Sequence, residues 1–238
     1  MKIPDLLLRL LFVPACVSCG TRLPLSHANG VLCEECRTRY EDEKEVSCPV
    51  CASVLSQCTC LPPSMTKTAA RRMVKLFRYR PGGEDVSASL IFALKHNATI
   101  DLLRFFAAEL ATPLSPLLEG KDTVIVYPPR GKNSLHRDGY DHAEKLAKEL
   151  GRRLSVPVLP IFSRRFSGQQ KKLSRAARLA AASGYTLRKD ICLKGKHVIV
   201  LDDISTTGAT LLALSRLLYK AGVRDITLAV IAVTPERV

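Results

Sequence analysis

The sequence lacks two features that would assign it to common classes of protein. No apolar run in its 238 residues reaches the ~18 to 20 that a membrane-spanning helix needs, so no membrane span is predicted. No Ser-His-Asp or Cys-His arrangement typical of nucleophilic catalysis stands out either. Asp5 and Arg9 interrupt the N-terminal apolar stretch, which favours a short amphipathic helix over a secretory signal and therefore a cytoplasmic protein.

Acidic residues are few relative to basic ones, and the imbalance is local. The formal net charge is +14. Residues 130–178 contain 13 Lys or Arg against 4 Asp or Glu, whereas residues 1–66 are near neutral, with 6 against 7. Such a basic stretch favours a phosphate-bearing partner, whether nucleotide, nucleic acid or anionic lipid, and a solvated basic face is the alternative.

Cysteine is concentrated near the N-terminus, where C-x-x-C pairs recur at a spacing that can surround one ion tetrahedrally. The first set is Cys16, Cys19, Cys33 and Cys36, and the second is Cys48, Cys51, Cys58 and Cys60. Four sulfur ligands leave no open coordination position, so we predict two structural Zn²⁺ ions. Disulfides are the alternative, although nothing else indicates an oxidising compartment. Cys192 stands apart and is interpreted as a buried apolar residue.

A Pro- and Ser-containing stretch, residues 61–70, coincides with a change of composition and is interpreted as a linker. We therefore predict an N-terminal helix and double zinc-ribbon module over residues 1–62, followed by a second domain over residues 68–238. Strands are predicted at 122–129, 156–162, 196–203 and 225–233, and helices at 86–96, 101–111, 139–154 and 207–221. This alternation predicts an α/β fold, a mainly parallel sheet flanked by helices, with ligands beyond the carboxyl ends of the strands.

Two adjacent aspartates, Asp202 and Asp203, end the third predicted strand, and the residues STTGAT follow them. Hydroxyls, a glycine and the N-terminus of the next helix make an anion cradle suited to a phosphate. Carboxylates that accept hydrogen bonds from vicinal hydroxyls complete a site for a phosphorylated sugar. His136 and His142 lie nearby and are interpreted as bystanders.

Residues 198–211 resemble the phosphoribosyl-pyrophosphate (PRPP) signature of type I phosphoribosyltransferases, in which Asp-Asp precedes three residues and Thr-Gly-x-Thr. Together with the cysteine module, the signature makes the whole chain similar to the ComF (ComFC-like) competence family. A Gln-x-x-Leu-Ser motif with a following Arg supports the resemblance; its residues here are Gln170, Leu173, Ser174 and Arg178. The chain departs from the family pattern at Asp138, Asp141 and Ala181.

The resemblance implies a role for each residue of the site. Asp202 and Asp203 would be the catalytic pair that binds the ribose hydroxyls, directly or through Mg²⁺. The 5′-phosphate would be cradled by Thr206, Thr207, Gly208, Ala209 and Thr210, and the pyrophosphate would be bound by Arg130 and Gly131. The segment 163–183 would close over the site and exclude water. In a nucleic-acid interpretation, its basic residues and Phe166 would instead contact a single strand.

Three functions remain open from the sequence. The first is a PRPP-dependent transferase that moves ribose 5-phosphate to an unknown acceptor and uses Mg²⁺ with PRPP. The second is a non-catalytic protein of natural competence that binds single-stranded DNA, a competence helicase or other DNA-uptake proteins. The third is a PRPP sensor that binds the ligand without turnover.

Overall fold

The computed structural model describes residues 14–24, 30–66, 68–80, 82–130, 141–164, 184–188 and 190–234. The predicted N-terminal helix lies largely outside the described residues, as do Gly131, Asp138 and Ala181 and most of the segment 163–183. Within the described part of the chain, no helix has both the length and the apolar character needed to cross a membrane.

A five-stranded parallel sheet forms the centre of the molecule, in the order β1-β7-β6-β2-β3. Its strands are β1 (Arg72–Arg78), β2 (Thr123–Val126), β3 (Val158–Leu159), β6 (His197–Ser205) and β7 (Asp225–Val233). Seven of the nine residues of the central strand β6 are buried, because helices or loops cover both faces of the sheet. A separate antiparallel hairpin pairs β4 (Phe162–Arg164) with β5 (Tyr185–Leu187).

Helices divide between the two faces of the sheet. Those bounded in the structure are α1 (Glu34–Lys44), α2 (Val86–His96), α3 (Ile100–Leu114), α4 (His142–Leu154) and α5 (Ala209–Lys220). On one face, α1 to α4 pack against Ile199 and Leu201 of β6. On the other face, α5 and the β4–β5 hairpin pack against Val198 and Val200. Successive side chains of β6 thus point to opposite faces of the sheet and contribute to two separate cores.

The cysteine module shares the first of these cores. Tyr40 of α1 is fully buried, and its ring centroid lies 5.8 Å from that of Phe77 in β1 and 5.3 Å from that of Phe105 in α3. Glu43 of α1 accepts hydrogen bonds from the amides of Val86 and Ser87 at 2.7 and 2.8 Å, which caps α2. The division at residues 62–68 stays a prediction, since both sides of it contribute to one core.

The predicted fold class, a mainly parallel sheet flanked by helices, is confirmed. The strand over Arg72–Arg78 was missed, because basic residues at its two ends and in its middle disguise an edge strand that pairs with β7. The predicted strand 156–162 is divided: Val158–Leu159 joins the sheet, and Phe162 begins the hairpin. Pro160, which lacks an amide proton, lies between the two pieces.

The interpretation of Cys192 as a buried residue is wrong, because its side chain is exposed. It precedes Leu193, which is the buried residue of this short segment before β6. An apolar residue next to a strand can therefore face solvent when its neighbour fills the core position.

Candidate functional site

Asp202 and Asp203 lie near the carboxyl end of β6, which is the edge where parallel sheets bind ligands. The Asp202 carboxylate accepts the amide of Asp203 at 2.9 Å, and the Asp203 carboxylate accepts the amide of Ile204 at 2.7 Å. Since successive strand residues point to opposite faces, the two carboxylates meet different neighbours.

Asp203 faces two basic side chains from distant parts of the chain. Its Oδ2 lies 2.9 Å from Nε2 of His142, the first residue of α4, and 3.8 Å from Nζ of Lys95 in α2. His142 is only 6% exposed, and its Nδ1 is the single buried side-chain polar atom without a hydrogen-bond partner among the described residues. Interpreting His142 as a bystander missed this contact.

The two adjacent carboxyl groups titrate differently. Burial and the neighbouring charge of Asp203 raise the pKa of Asp202 well above its ordinary value. Burial also acts to raise the pKa of Asp203, but the hydrogen bond and charge of His142, together with Lys95, lower it to about 2. The fold therefore opposes ionisation of Asp202 and favours ionisation of Asp203, so a negative charge on the pair is better placed on Asp203.

The loop from Thr206 to Gly208 connects this pair to α5. Gly208 has a φ of 69° and is the N-cap of α5, and a Cβ there would overlap the Sδ of Met65. The positive φ favours glycine at this position, and a larger residue would also displace the Met65 side chain. Thr234 holds the other side of the loop, since its hydroxyl donates to the Thr206 carbonyl at 3.0 Å. Thr207 precedes Gly208, and its hydroxyl accepts the amide of Ala209 at 3.5 Å, while Ala209 and Thr210 begin α5. The binding of a phosphate by these residues stays a prediction.

The loop after β2 carries Arg130, beside the start of α4. Asp141 is the N-cap of α4 and accepts the amides of Ala143 and Glu144 at 3.0 and 3.2 Å. Its other oxygen accepts the amide of Arg130 at 3.1 Å. The departure from the family pattern at 141 is thus a capping carboxylate that joins the β2 loop to α4.

The β4–β5 hairpin contributes a tyrosine that sequence reasoning missed. Tyr185 is buried, and its pKa is raised mainly by burial, with Asp202 acting in the same direction and a hydrogen bond with Thr210 opposing it. The guanidinium of Arg164 lies 5.2 Å from the centroid of the Tyr185 ring. The hairpin therefore reaches both ends of the predicted site, and no local motif indicated it.

Each set of four cysteines comes together as predicted. The ligand atoms of Cys16, Cys19, Cys33 and Cys36, the first cluster, lie within 4.8 Å of one another, and so do those of Cys48, Cys51, Cys58 and Cys60, the second cluster. Both clusters are compatible with structural zinc.

Ionisation differs between the thiols of each cluster. Hydrogen bonds, from Thr21 and Ser53 respectively, lower the pKa of the exposed Cys19 and Cys51 to about 6. Burial raises the pKa of Cys36 and Cys58 to about 12. A metal would therefore meet an ionised thiolate at the surface of each cluster and displace a proton from the buried one.

A cavity of about 410 Å³ separates the second cluster from the loop that follows Asp203. Its walls include Cys60, Pro62 and Pro63 on one side and Ser205, Thr206 and Thr234 on the other. The linker thus reaches the loop directly, since Met65, beyond Pro63, packs against Gly208.

Comparisons with known proteins agree with this geometry. A model of the phosphoribosyl transferase domain matches residues 134–238. The chain is 23% identical to the competence protein ComFC of Bacillus subtilis over 194 residues, 80% of this chain and 79% of that protein. It is also 23% identical to ComFC of Streptococcus pneumoniae over 206 residues, 86% of this chain and 88% of that protein. The predicted resemblance to the ComF family is confirmed at this level.

Solved structures that the chain matches weakly include two phosphoribosyltransferases. A hypoxanthine-guanine phosphoribosyltransferase from Bacillus anthracis has 22% identity and a TM-score of 0.41, covering 57% of this chain and 70% of that one. A hypoxanthine phosphoribosyltransferase from Staphylococcus aureus has 19% identity and a TM-score of 0.39 over 56% of this chain and 64% of that one. The match thus spans slightly less than two thirds of the second enzyme.

Proposed function

We propose that this homologue of ComFC binds PRPP with Mg²⁺ at the carboxyl end of β6 and transfers ribose 5-phosphate to an acceptor, with release of pyrophosphate. One observation carries the proposal: Asp202 and Asp203 lie near the carboxyl end of β6, and the short loop after this strand leads to a left-handed glycine that opens α5. Carboxylates that can accept hydrogen bonds from ribose hydroxyls are thus close along the chain to a helix N-terminus that can bind a phosphate.

The 5′-phosphate would bind the amides and hydroxyls from Thr206 to Thr210, where the positive end of the α5 dipole stabilises it. Asp203, held by His142 and Lys95, would accept hydrogen bonds from a ribose hydroxyl as an ionised carboxylate. Asp202, whose pKa is raised, would complete the pair on the opposite side of the strand.

The pyrophosphate would face the loop after β2, where the capping contact from Asp141 orients the backbone of Arg130. Gly131, the other predicted residue of this loop, lies outside the described residues. Mg²⁺ bound with PRPP would neutralise the leaving group. Asp202 and Asp203 are suited to it because carboxylates are its preferred ligands in proteins.

The experiment is a calorimetric titration of PRPP with Mg²⁺ into the wild type, Asp203→Asn and Asp225→Asn. Asp225 is a matched control, since it is an aspartate at the opposite end of the same sheet with cationic partners of its own. We expect binding by the wild type and by Asp225→Asn, and a loss of about 100-fold in Asp203→Asn, because a charge-assisted hydrogen bond contributes about 1.5–3 kcal/mol.

An absence of heat in the wild type would overturn the proposed site. Binding without release of pyrophosphate, assayed across nucleobases and nucleosides as acceptors, would favour the PRPP-sensor alternative. The zinc proposal is independent of this titration: metal analysis should find about two zinc ions per chain, and one ion would refute a cluster.

A second candidate function rests on charge. Residues 130–178 carry 13 basic against 4 acidic residues and precede the aspartate pair in the sequence, and two relatives are named competence proteins. A non-catalytic role in the cytoplasm, binding single-stranded DNA or a competence helicase, would use these basic residues. DNA affinity should then fall steeply with salt, and a salt-independent affinity would contradict it.

A further inference from the structure

The second cysteine cluster is in contact with a buried lysine. Lys75 lies in the middle of β1 and is 3% exposed. Its Nζ donates to the Cys60 carbonyl at 2.8 Å and lies 3.5 Å from the Sγ of Cys58. The carbonyls of Cys58 and Met73 are each 3.4 Å away. Among the described residues, no carboxylate forms an ion pair with Lys75.

An ammonium group in this position needs a compensating negative charge. Removing an ion from water costs several kcal/mol unless a counter-charge and hydrogen bonds replace the solvent. Carbonyl oxygens supply hydrogen bonds but no net charge. Four thiolates around one Zn²⁺ carry about two net negative charges, and they are the nearest possible anion.

We propose that Lys75 is the counter-cation of a metal centre at the second cluster, so that its charge raises the affinity of Cys48, Cys51, Cys58 and Cys60 for the metal. This inference depends on the proposed zinc and not on PRPP binding. The amide of Cys60 donates to the Sγ of Cys58 at 3.2 Å, which adds a second donor to the same sulfur. Such outer contacts commonly change metal affinity by about 10- to 100-fold.

The first cluster has a different environment. Its described contacts are Cys19 with the Thr21 hydroxyl at 3.2 Å and Cys19 with Cys33 at 3.7 Å. Among the described residues, no lysine or arginine nitrogen is hydrogen-bonded to its sulfurs. The two clusters of one chain therefore provide an internal control for the effect of the lysine.

The experiment measures zinc release from the full chain to a chromophoric chelator. The variants are Lys75→Met, which removes the charge, and Lys75→Gln, which removes the charge but keeps an amide donor for the carbonyls. The matched control is Arg22→Met, an exposed cation beside the first cluster. Cys51→Ser assigns which of the two phases of release belongs to the second cluster.

We expect both Lys75 variants to release the zinc of the second cluster about tenfold faster or more, with release from the first cluster unchanged, and Arg22→Met to release both as the wild type does. The thiolate-to-metal charge-transfer band of the Co²⁺-loaded chain should shift in the Lys75 variants alone. The proposal would be overturned if Lys75→Gln released zinc at the wild-type rate and its Co²⁺ band were unshifted, because the charge of Lys75 would then be unnecessary for metal binding. A Lys75→Gln chain that stays unfolded in excess zinc would overturn it too, since Lys75 would then be required for folding of the sheet and not for metal affinity.

Discussion

Both ends of the parallel sheet carry a buried histidine and aspartate residues, but these side chains differ in their hydrogen-bond and ion-pair partners. At the amino end, His197 is held between the hydroxyls of Thr123 and Thr227 at 3.0 and 2.8 Å. Asp225 lies 2.9 Å from Lys121 and 3.3 Å from Arg72. At the carboxyl end, two carboxylates are adjacent, and Nδ1 of the buried His142 has no hydrogen-bond partner within the part of the chain that the structure describes.

The difference separates stability from binding. Polar groups at the amino end satisfy one another, so they stabilise the fold without leaving an acceptor or donor for a ligand. At the carboxyl end, the raised pKa of Asp202 reports a charge that the fold opposes. Groups that the fold leaves strained or unpaired are those that a ligand would satisfy.

The largest expected effect exchanges binding for stability. Asp202→Asn should abolish measurable PRPP binding, by about 100-fold or more, and yet stabilise the fold by about 1 kcal/mol at pH 7. At pH 7 the Asp202 carboxyl is ionised in the unfolded state, and its raised pKa means that the folded state opposes this ionisation. The carboxyl therefore lowers the free energy of unfolding, and the neutral amide of asparagine removes that penalty. Titration calorimetry and urea denaturation measure the two effects.

The matching change at the amino end, Asp225→Asn, should lower stability and leave binding unchanged. If Asp202→Asn destabilised the chain as much as Asp225→Asn does, the contrast between the two ends would be lost.

The next effect concerns the dependence of stability on pH through His197. Burial lowers the pKa of His197 from 6.5 to about 4. The unfolded state therefore binds a proton that the folded state does not between these values, and stability should fall by about 2 kcal/mol as pH falls from 6.5 to 4. His197→Gln should remove this part of the pH dependence, measured by urea denaturation at a series of pH values.

The outcome is read as the difference between the wild type and His197→Gln, because other groups titrate in both. Parallel curves for the two chains over this interval would show that His197 is not held neutral by its site.

The third comparison concerns one glycine in a loop at each end of the parallel sheet. Gly208 and Gly120 both have positive φ, 69° and 66°, but only Gly208 has a neighbour where a Cβ would lie. Gly120→Ala should cost about 1 kcal/mol of stability with no change in PRPP affinity. Gly208→Ala should cost more and weaken PRPP binding about tenfold, because Met65 or the loop must move. Equal effects on stability and binding would contradict the contact with the linker.

The smallest effect compares two lysines on the surface. Lys121→Met removes a half-exposed ion pair at the amino end and should cost about 0.5 kcal/mol, decreasing with salt. Lys95→Met removes the cation 3.8 Å from Asp203 and should weaken PRPP binding a few-fold with little change in stability. Thermal unfolding measures the stability of both variants, and titration calorimetry measures their affinity for PRPP. A reversed pattern would place the ligand elsewhere.

Local patterns predicted much of the fold and part of the site. Helix α2 has the predicted bounds. The strand predicted at 196–203 is observed at His197–Ser205, so it continues two residues beyond Asp203. The edge strand β1 was missed, because Lys75 and other basic residues interrupt its apolar run and only the sheet shows why they lie there. A strand at an edge has one neighbour and tolerates such a pattern.

Groups whose members are close along the chain could be predicted from the amino-acid sequence. The spacing of the C-x-x-C cysteine pairs, and of an aspartate pair followed by a glycine loop, predicts their chemistry because few residues separate their members. Contacts between residues that are distant along the chain became evident only in the folded structure. His142 and Asp203 are 61 residues apart, Lys75 meets Cys58 from another element, and Met65 packs against Gly208. These contacts depend on how helices and the linker pack on the sheet, which no local spacing specifies.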